Sequence, residues 1–195
     1  MLCSRGSFLR DCGWFESFFR HTPTNFLGNP LPWYTYAAIA FLESRVHRGM
    51  SVFEYGSGNS TLWWSQRVAR VVACEHDIGW AGRVWPLLPA NVKYEQRSLE
   101  EGKCYPDMIR EYPAAFDVVV IDGRRRVECA SASMTGVKED GVIVWDNSER
   151  ETYKEGLALL ARNGFRRIDF WGPGPIARHG WCTSIFYRTK NCLGI

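Results

Sequence analysis

The sequence predicts an α/β fold, a single doubly wound and mostly parallel sheet with helices on both faces, and three observations carry that prediction. Five short β-branched or apolar runs, at residues 51–55, 70–76, 91–96, 116–122 and 141–145, alternate with longer helical patterns, the rhythm of strands joined by helical crossovers. Two stretches within them, Val118 to Ile121 and Val142 to Val144, are apolar at every position, as in strands buried on both faces, so they belong near the sheet centre. The last two runs, at 165–171 and 181–188, are joined by a nine-residue Gly/Pro loop. A parallel connection needs about a dozen residues or more, so this pair is an antiparallel hairpin.

Residues 1–50 stand outside the alternation and form an expected N-terminal helical cap, with residues 51–195 as the core of the same structural domain. An aromatic segment (Trp14, Phe15, Phe18, Phe19) and a Pro/Gly-marked stretch lead to a helix expected from about Trp33. Trp33, Tyr36, Ala37, Ala40, Phe41 and Ser44 recur there at helical spacing, so this face is expected to pack on the sheet and to shut one end of a ligand cleft.

Composition narrows the class. With 195 residues, 46% hydrophobic and 14% aromatic, the chain can bury one core and is short for two domains. No apolar run approaches the roughly 18 to 20 residues of a spanning helix, and Arg and Asp interrupt the N-terminal segment before a signal-like core forms, so a cytoplasmic protein with no membrane span is expected. Seven cysteines contain no C-x-x-C pair, which favours reduced thiols over a disulfide framework or zinc cage. The net charge is +3, with 19 Arg and 5 Lys. Apart from Arg124 to Arg126 there is no basic stripe with interleaved aromatics, so nucleic acid is not an expected partner.

The first run ends in Glu54-Tyr55-Gly56-Ser57-Gly58-Asn59-Ser60-Thr61, and a helical segment follows. Glycines at a strand-to-helix turn let backbone approach a ligand, and the helix start presents free N–H groups. Ser60 or Thr61 suits the N-cap. Seventeen residues after Gly58, the second run reaches Glu75, where a carboxylate can accept both hydroxyls of a ribose. Thr61 stands where a dinucleotide fold wants its third Gly, and Gly-Lys-Ser/Thr is absent, so NAD and ATP fit less well than a nucleoside without a phosphate.

The E-x-G-x-G-x-S turn, Glu75 on the second strand, Asp122 on the fourth and the terminal hairpin together resemble the class I S-adenosylmethionine-dependent methyltransferases, over about residues 50 to 190. The resemblance implies sheet order 3-2-1-4-5-7-6 with the last strand antiparallel. It implies S-adenosylmethionine as cofactor, with Gly56, Ser57 and Gly58 along its methionine and ribose portion, Glu54 supporting the turn and the amino-acid end, and Glu75 on the ribose. Asp122 also falls to the cofactor site. His76, Arg97 and Ser98 would flank the adenine. Ser60 stands where many members carry a third Gly.

In that order the fourth and fifth strands are neighbours, with carboxyl ends about 5 Å apart. Asp122, Asp146 and Asn147 then offer oxygen ligands of the kind a hard cation such as Mg²⁺ takes, a pattern that resembles metal-dependent O-methyltransferases of the catechol O-methyltransferase type. By that likeness the three would hold a divalent metal that lowers the pKa of a small-molecule hydroxyl acceptor, a saccharide or natural product. The other reading is that Asp122 caps the next helix or touches the cofactor while Asp146-Asn147 form a turn.

Candidate catalytic residues are Asp122, Arg125 and His179. Arg125 matches the family's basic residue in position, but a guanidinium is almost never deprotonated and makes a poor base; His179, in the Gly/Pro loop, titrates in a suitable range. Arg124 to Arg126 appear at a helix start, where cations are unfavourable; either carboxylates such as Asp122 and Glu128 neutralise them or they receive an anionic acceptor. Trp14, Trp33, Tyr34, Trp145 and Trp171 are a candidate acceptor wall. An aminopropyltransferase, a nicotinamide oxidoreductase and a non-catalytic cofactor-binding protein are the alternatives, and a homodimer would complete a site that so short a chain leaves open.

Overall fold

The computed structural model describes residues 6–100 and 104–195; Cys3 therefore lies outside the described residues. Seven strands form one sheet: β1 (Ser51–Tyr55), β2 (Arg70–Glu75), β3 (Val92–Gln96), β4 (Phe116–Ile121), β5 (Val137–Asp146), β6 (Arg166–Gly172) and β7 (Trp181–Tyr187). Their order is β3-β2-β1-β4-β5-β7-β6. The pairings β1–β2, β1–β4, β2–β3 and β4–β5 are parallel, and β7 runs antiparallel to both β5 and β6. The sheet expected from the sequence is the sheet observed.

Side-chain alternation along the central strands sorts the core into two layers. Phe53, Tyr55, Val119, Ile121, Ile143 and Trp145 point to one face, covered by α6 (Cys104–Asp107), α7 (Arg126–Gly136) and α8 (Lys154–Arg162). Val52, Val118, Val120, Val142 and Val144 point to the other, under α3 (Tyr36–Glu43) and α4 (Asn59–Ser65), while α5 (Ile78–Val84) covers the β2–β3 edge through Ala81 and Val84. β5 is longer than its apolar run, because α7 passes directly into it at Val137 and a register irregularity between Phe116 and Val118 absorbs the extra residues.

The N-terminal segment carries α1 (Phe8–Asp11), α2 (Trp14–Arg20) and α3. It is tied to the β6–β7 hairpin: Tyr36 N–H donates to the Pro173 carbonyl at 2.9 Å, Thr35 N–H to Thr183 Oγ1 at 3.0 Å, and Trp14 Nε1–H to the Ala177 carbonyl at 2.9 Å. Two details of the expected helix are corrected. It starts at Tyr36, with Thr35 as its extended N-cap, and it buries Tyr36, Ala38, Ile39 and Leu42 rather than the Ala37-Ala40-Ser44 face. Nearly every position of this short helix is apolar, so periodicity does not select a face; its anchoring to the hairpin does. No described helix is long and apolar enough to cross a membrane.

Candidate functional site

A cavity of about 650 Å³ opens at the carboxyl ends of β1, β2, β4 and β5, where ligands collect in open α/β sheets. Glu54, Gly56, Ser57, Ser60, Glu75, His76, Asp122, Asp146, Asn147 and His179, all expected from the sequence, line it. The β1 turn is held open by conformation. Gly56 has φ +94°, and a Cβ on Gly123, the residue after Asp122, would lie 1.9 Å from Tyr105 Oη and 3.0 Å from the Gly56 nitrogen. The two glycines let the β1 and β4 ends close on each other.

Thr61 and Ser60 do not cap α4; Gly58 does, and its N–H donates to Thr61 Oγ1 at 3.0 Å. Thr61 in turn donates to Glu54 Oε2 at 2.5 Å, so the residue that replaces a third glycine braces the turn against the first acid. Gly58 does not line the cavity; it lies beneath Trp80, whose indole N–H donates to the Ser57 carbonyl at 2.9 Å.

Glu54 is 1% exposed and its Oε1 has no hydrogen-bond partner among the described residues. Burial pushes its carboxyl up to about 8, against the pull of the Ser60 and Thr61 hydroxyls. Glu75, 3% exposed, reaches back to the turn: Ser57 Oγ donates to Oε2 at 2.9 Å, while Oε1 accepts from the His76 and Asp77 N–H groups at 2.8 and 2.9 Å. The acid of β2 and the turn of β1 thus form one surface. Tyr94 Oη lies 2.8 Å from Ser57 Oγ and completes it.

Arg97 and Ser98 are not brought to the cavity. Arg97 pairs with Glu95 and Glu111 at 3.4 and 3.3 Å, and Ser98 accepts from the Glu100 N–H. Asp77 and Trp80 stand at this end instead, Asp77 capping α5 by accepting from the Trp80 N–H at 2.7 Å. The Asp-x-x-Trp cap after β2 was the available sequence signal.

At the other end Arg126, 8% exposed, clasps the ends of β4 and β5. Its guanidinium donates to the Gly123 carbonyl at 3.0 Å, to the Asp122 carbonyl and Oδ1 at 2.9 Å each, and to the Asp146 carbonyl. Asp146 Oδ1 accepts from Trp181 Nε1 at 2.8 Å and Thr183 Oγ1 at 2.6 Å. Burial first and then the Asp122 charge push the Asp146 carboxyl up to about 8, and burial also raises Asp122, opposed by Arg126. These donors do not fit a divalent cation. Asp146 Oδ1 already accepts two hydrogen bonds, Asp122 Oδ1 is bound to a buried guanidinium that would repel the ion, and no described group of three or more His, Cys, Asp or Glu has metal-binding geometry. The expected Asp122-Asp146-Asn147 metal triad is therefore corrected.

Arg125 is likewise removed from the expected catalytic set: it occupies the N-cap of α7 with φ 50°, pairs with Glu128 at 3.2 Å and does not line the cavity. His179 does line it, 6.2 Å from the Trp181 ring centre. Of the expected aromatic wall only Trp33 reaches the cavity. Tyr34 and Trp145 are fully buried, Trp171 is 63% exposed elsewhere, and Trp14 stacks on Phe18. Trp181, Arg124 and Arg150 also line the β4–β5 end; the antiparallel β7, the loop after β4 and the loop after β5 bring them there.

No protein-family profile and no curated protein matches the chain. Among solved structures it is similar to a precorrin-6y C5,15-methyltransferase from Geobacter metallireducens, with TM-score 0.61 and 16% identity over 78% of this chain and 87% of that one. It is similar to a 1,6-didemethyltoxoflavin-N1-methyltransferase from Burkholderia thailandensis, solved with S-adenosylhomocysteine bound, with TM-score 0.52 and 16% identity over 79% and 77%. A spermidine synthase from Thermotoga maritima aligns with TM-score 0.58 and 16% identity over 78% of this chain, which spans 61% of that one. At these identities the likeness is one of architecture, and the chain has the Rossmann-like methyltransferase fold.

Proposed function

We propose that the chain is an S-adenosylmethionine-dependent methyltransferase acting on the hydroxyl of a small molecule such as a saccharide or natural product. The observation that carries this reading is the pair of buried acids at the glycine turn. Glu54 lines the cavity at the end of β1, buried and braced by the Thr61 hydroxyl, and Glu75 stands one strand over, in hydrogen-bond reach of Ser57. A buried acid at the turn suits the ammonium of an amino acid, and a buried carboxylate fixed by backbone N–H groups suits a ribose diol. His76, Asp77 and Trp80 lie beyond Glu75, where the base of the nucleoside would rest.

The cofactor, when bound, supplies a methyl group on a sulfonium, which passes to the acceptor oxygen as its bond to sulfur breaks and the electron pair stays on sulfur. The chain's own groups orient and deprotonate. Arg126 holds the β4 and β5 ends in fixed relation, Trp33 and Trp181 flank the acceptor volume, and His179 is placed to take the hydroxyl proton. This route asks nothing of a metal.

An aminopropyltransferase on the same scaffold would need an acidic pocket for a polyamine, whereas Arg124 and Arg150 occupy the acceptor end. Titration calorimetry with S-adenosylmethionine and S-adenosylhomocysteine tests the proposal directly. Micromolar binding of both is expected, and a folded protein that binds neither removes it.

A further inference from the structure

The cavity is divided by charge. Its β1–β2 end carries Glu54, Glu75 and Asp77. Its β4–β5 end carries two more acids and three arginines, and one oxygen of each acid is engaged: Asp122 Oδ1 by the Arg126 guanidinium, Asp146 Oδ1 by the Trp181 indole and the Thr183 hydroxyl. That leaves Arg124 and Arg150, exposed and lining the same cavity, with no carboxylate in ion-pair range among the described residues. Arg150's charge reaches inward far enough to favour ionised Asp122.

Resting on the methyltransferase reading above, we infer that Arg124 and Arg150 select the acceptor: its hydroxyl-bearing ring carries a carboxylate or a phosphate, which these two guanidiniums bind from the ends of β4 and β5. Guanidinium groups bind both anions through a planar fork. Trp33, half exposed, and the His179 ring line the same cavity, so the acceptor's ring has flat surface to lie on while its charge is held. The Trp181 ring is fixed in orientation by its bond to Asp146. The positive end also disfavours cationic acceptors.

The test uses matched acceptors that differ only in charge: a hydroxylated benzene with and without a carboxylate, and a sugar with and without a phosphate. Binding of each to the protein saturated with S-adenosylhomocysteine is measured by calorimetry, and methyl transfer is measured alongside. The acid or phosphate of at least one pair should bind at least about tenfold more tightly than its uncharged partner. Arg124→Gln and Arg150→Gln should each remove most of that preference while leaving the uncharged partner's binding and the dissociation constant of S-adenosylhomocysteine unchanged. Which pair shows the preference tells carboxylate from phosphate.

The inference is overturned if no charged acceptor outbinds its neutral partner. It is equally overturned if the variants weaken S-adenosylhomocysteine instead, which would assign the guanidiniums to the cofactor's own carboxylate. Failure of the parent protein to bind S-adenosylhomocysteine at all is a separate result and removes the methyltransferase reading along with this one.

Discussion

Trp181 donates its indole N–H to Asp146 Oδ1 at 2.8 Å, across the antiparallel junction of β5 and β7. That bond, with the Thr183 hydroxyl on the same oxygen, makes Asp146 a structural acceptor. Asp146→Asn keeps a carbonyl oxygen for both donors and should leave the melting temperature within a few degrees of the parent, whereas Asp146→Ala should cost about 1–3 kcal/mol by stranding them. Thermal denaturation reads both. Turnover should be indifferent to EDTA, and chelation that abolishes activity restored by Mg²⁺ would reinstate the metal.

Glu54 and Asp146 both ionise less readily in the folded protein than in the unfolded chain, each near 8. A carboxyl with a raised folded pKa contributes stability below its unfolded pKa and loses it as pH rises through the folded value. The window therefore runs from about pH 4 to about pH 8. Glu54→Gln cannot ionise, so its stability relative to the parent should grow between about pH 5 and about pH 8.5, by about 2 kcal/mol or more. Urea midpoints at the two pH values measure this; a constant difference would contradict a buried, protonated Glu54.

Glu75→Gln should weaken S-adenosylhomocysteine by about tenfold to a hundredfold, since a charged acceptor to hydroxyls is worth about 1.5–3 kcal/mol. Calorimetry reads the change. Arg97→Ala, at a residue engaged by Glu95 and Glu111 outside the cavity, should leave the same constant unaltered.

His179→Gln should lower kcat by about a hundredfold or more, with the binding of S-adenosylhomocysteine unchanged. A variant that keeps the parent's kcat would assign the proton to another acceptor.

Much of the β1–β2 end of the cavity was legible because it is local. Glu54, Gly56, Ser57 and Glu75 lie at strand termini that hydrophobic runs announce, and adjacent parallel strands bring such termini together. Of the expected adenine flank, His76 lines the cavity while Arg97 and Ser98 do not, and the ion pairs that hold Arg97 to Glu95 and Glu111 lie outside what the run of residues after β3 announces. Thr61 looked like a defect in a glycine motif and is a brace, because its partner Glu54 is seven residues earlier on a different element.

By itself the sequence determined the seven strands, the antiparallel terminal hairpin and the glycine turn after β1, since hydrophobic period, loop length and glycine placement are properties of neighbouring residues. Tertiary structure decided the fate of each charged group. Asp122, Arg125, Arg126 and Asp146 look alike as a cluster of charges in the chain. Packing buries Arg126 against two strand ends, hands Asp146 to Trp181 from β7 and turns Arg125 outward to Glu128. Whether a charge serves the ligand or the fold depends on which distant donor reaches it first, because burial makes an unpaired charge too costly to leave free.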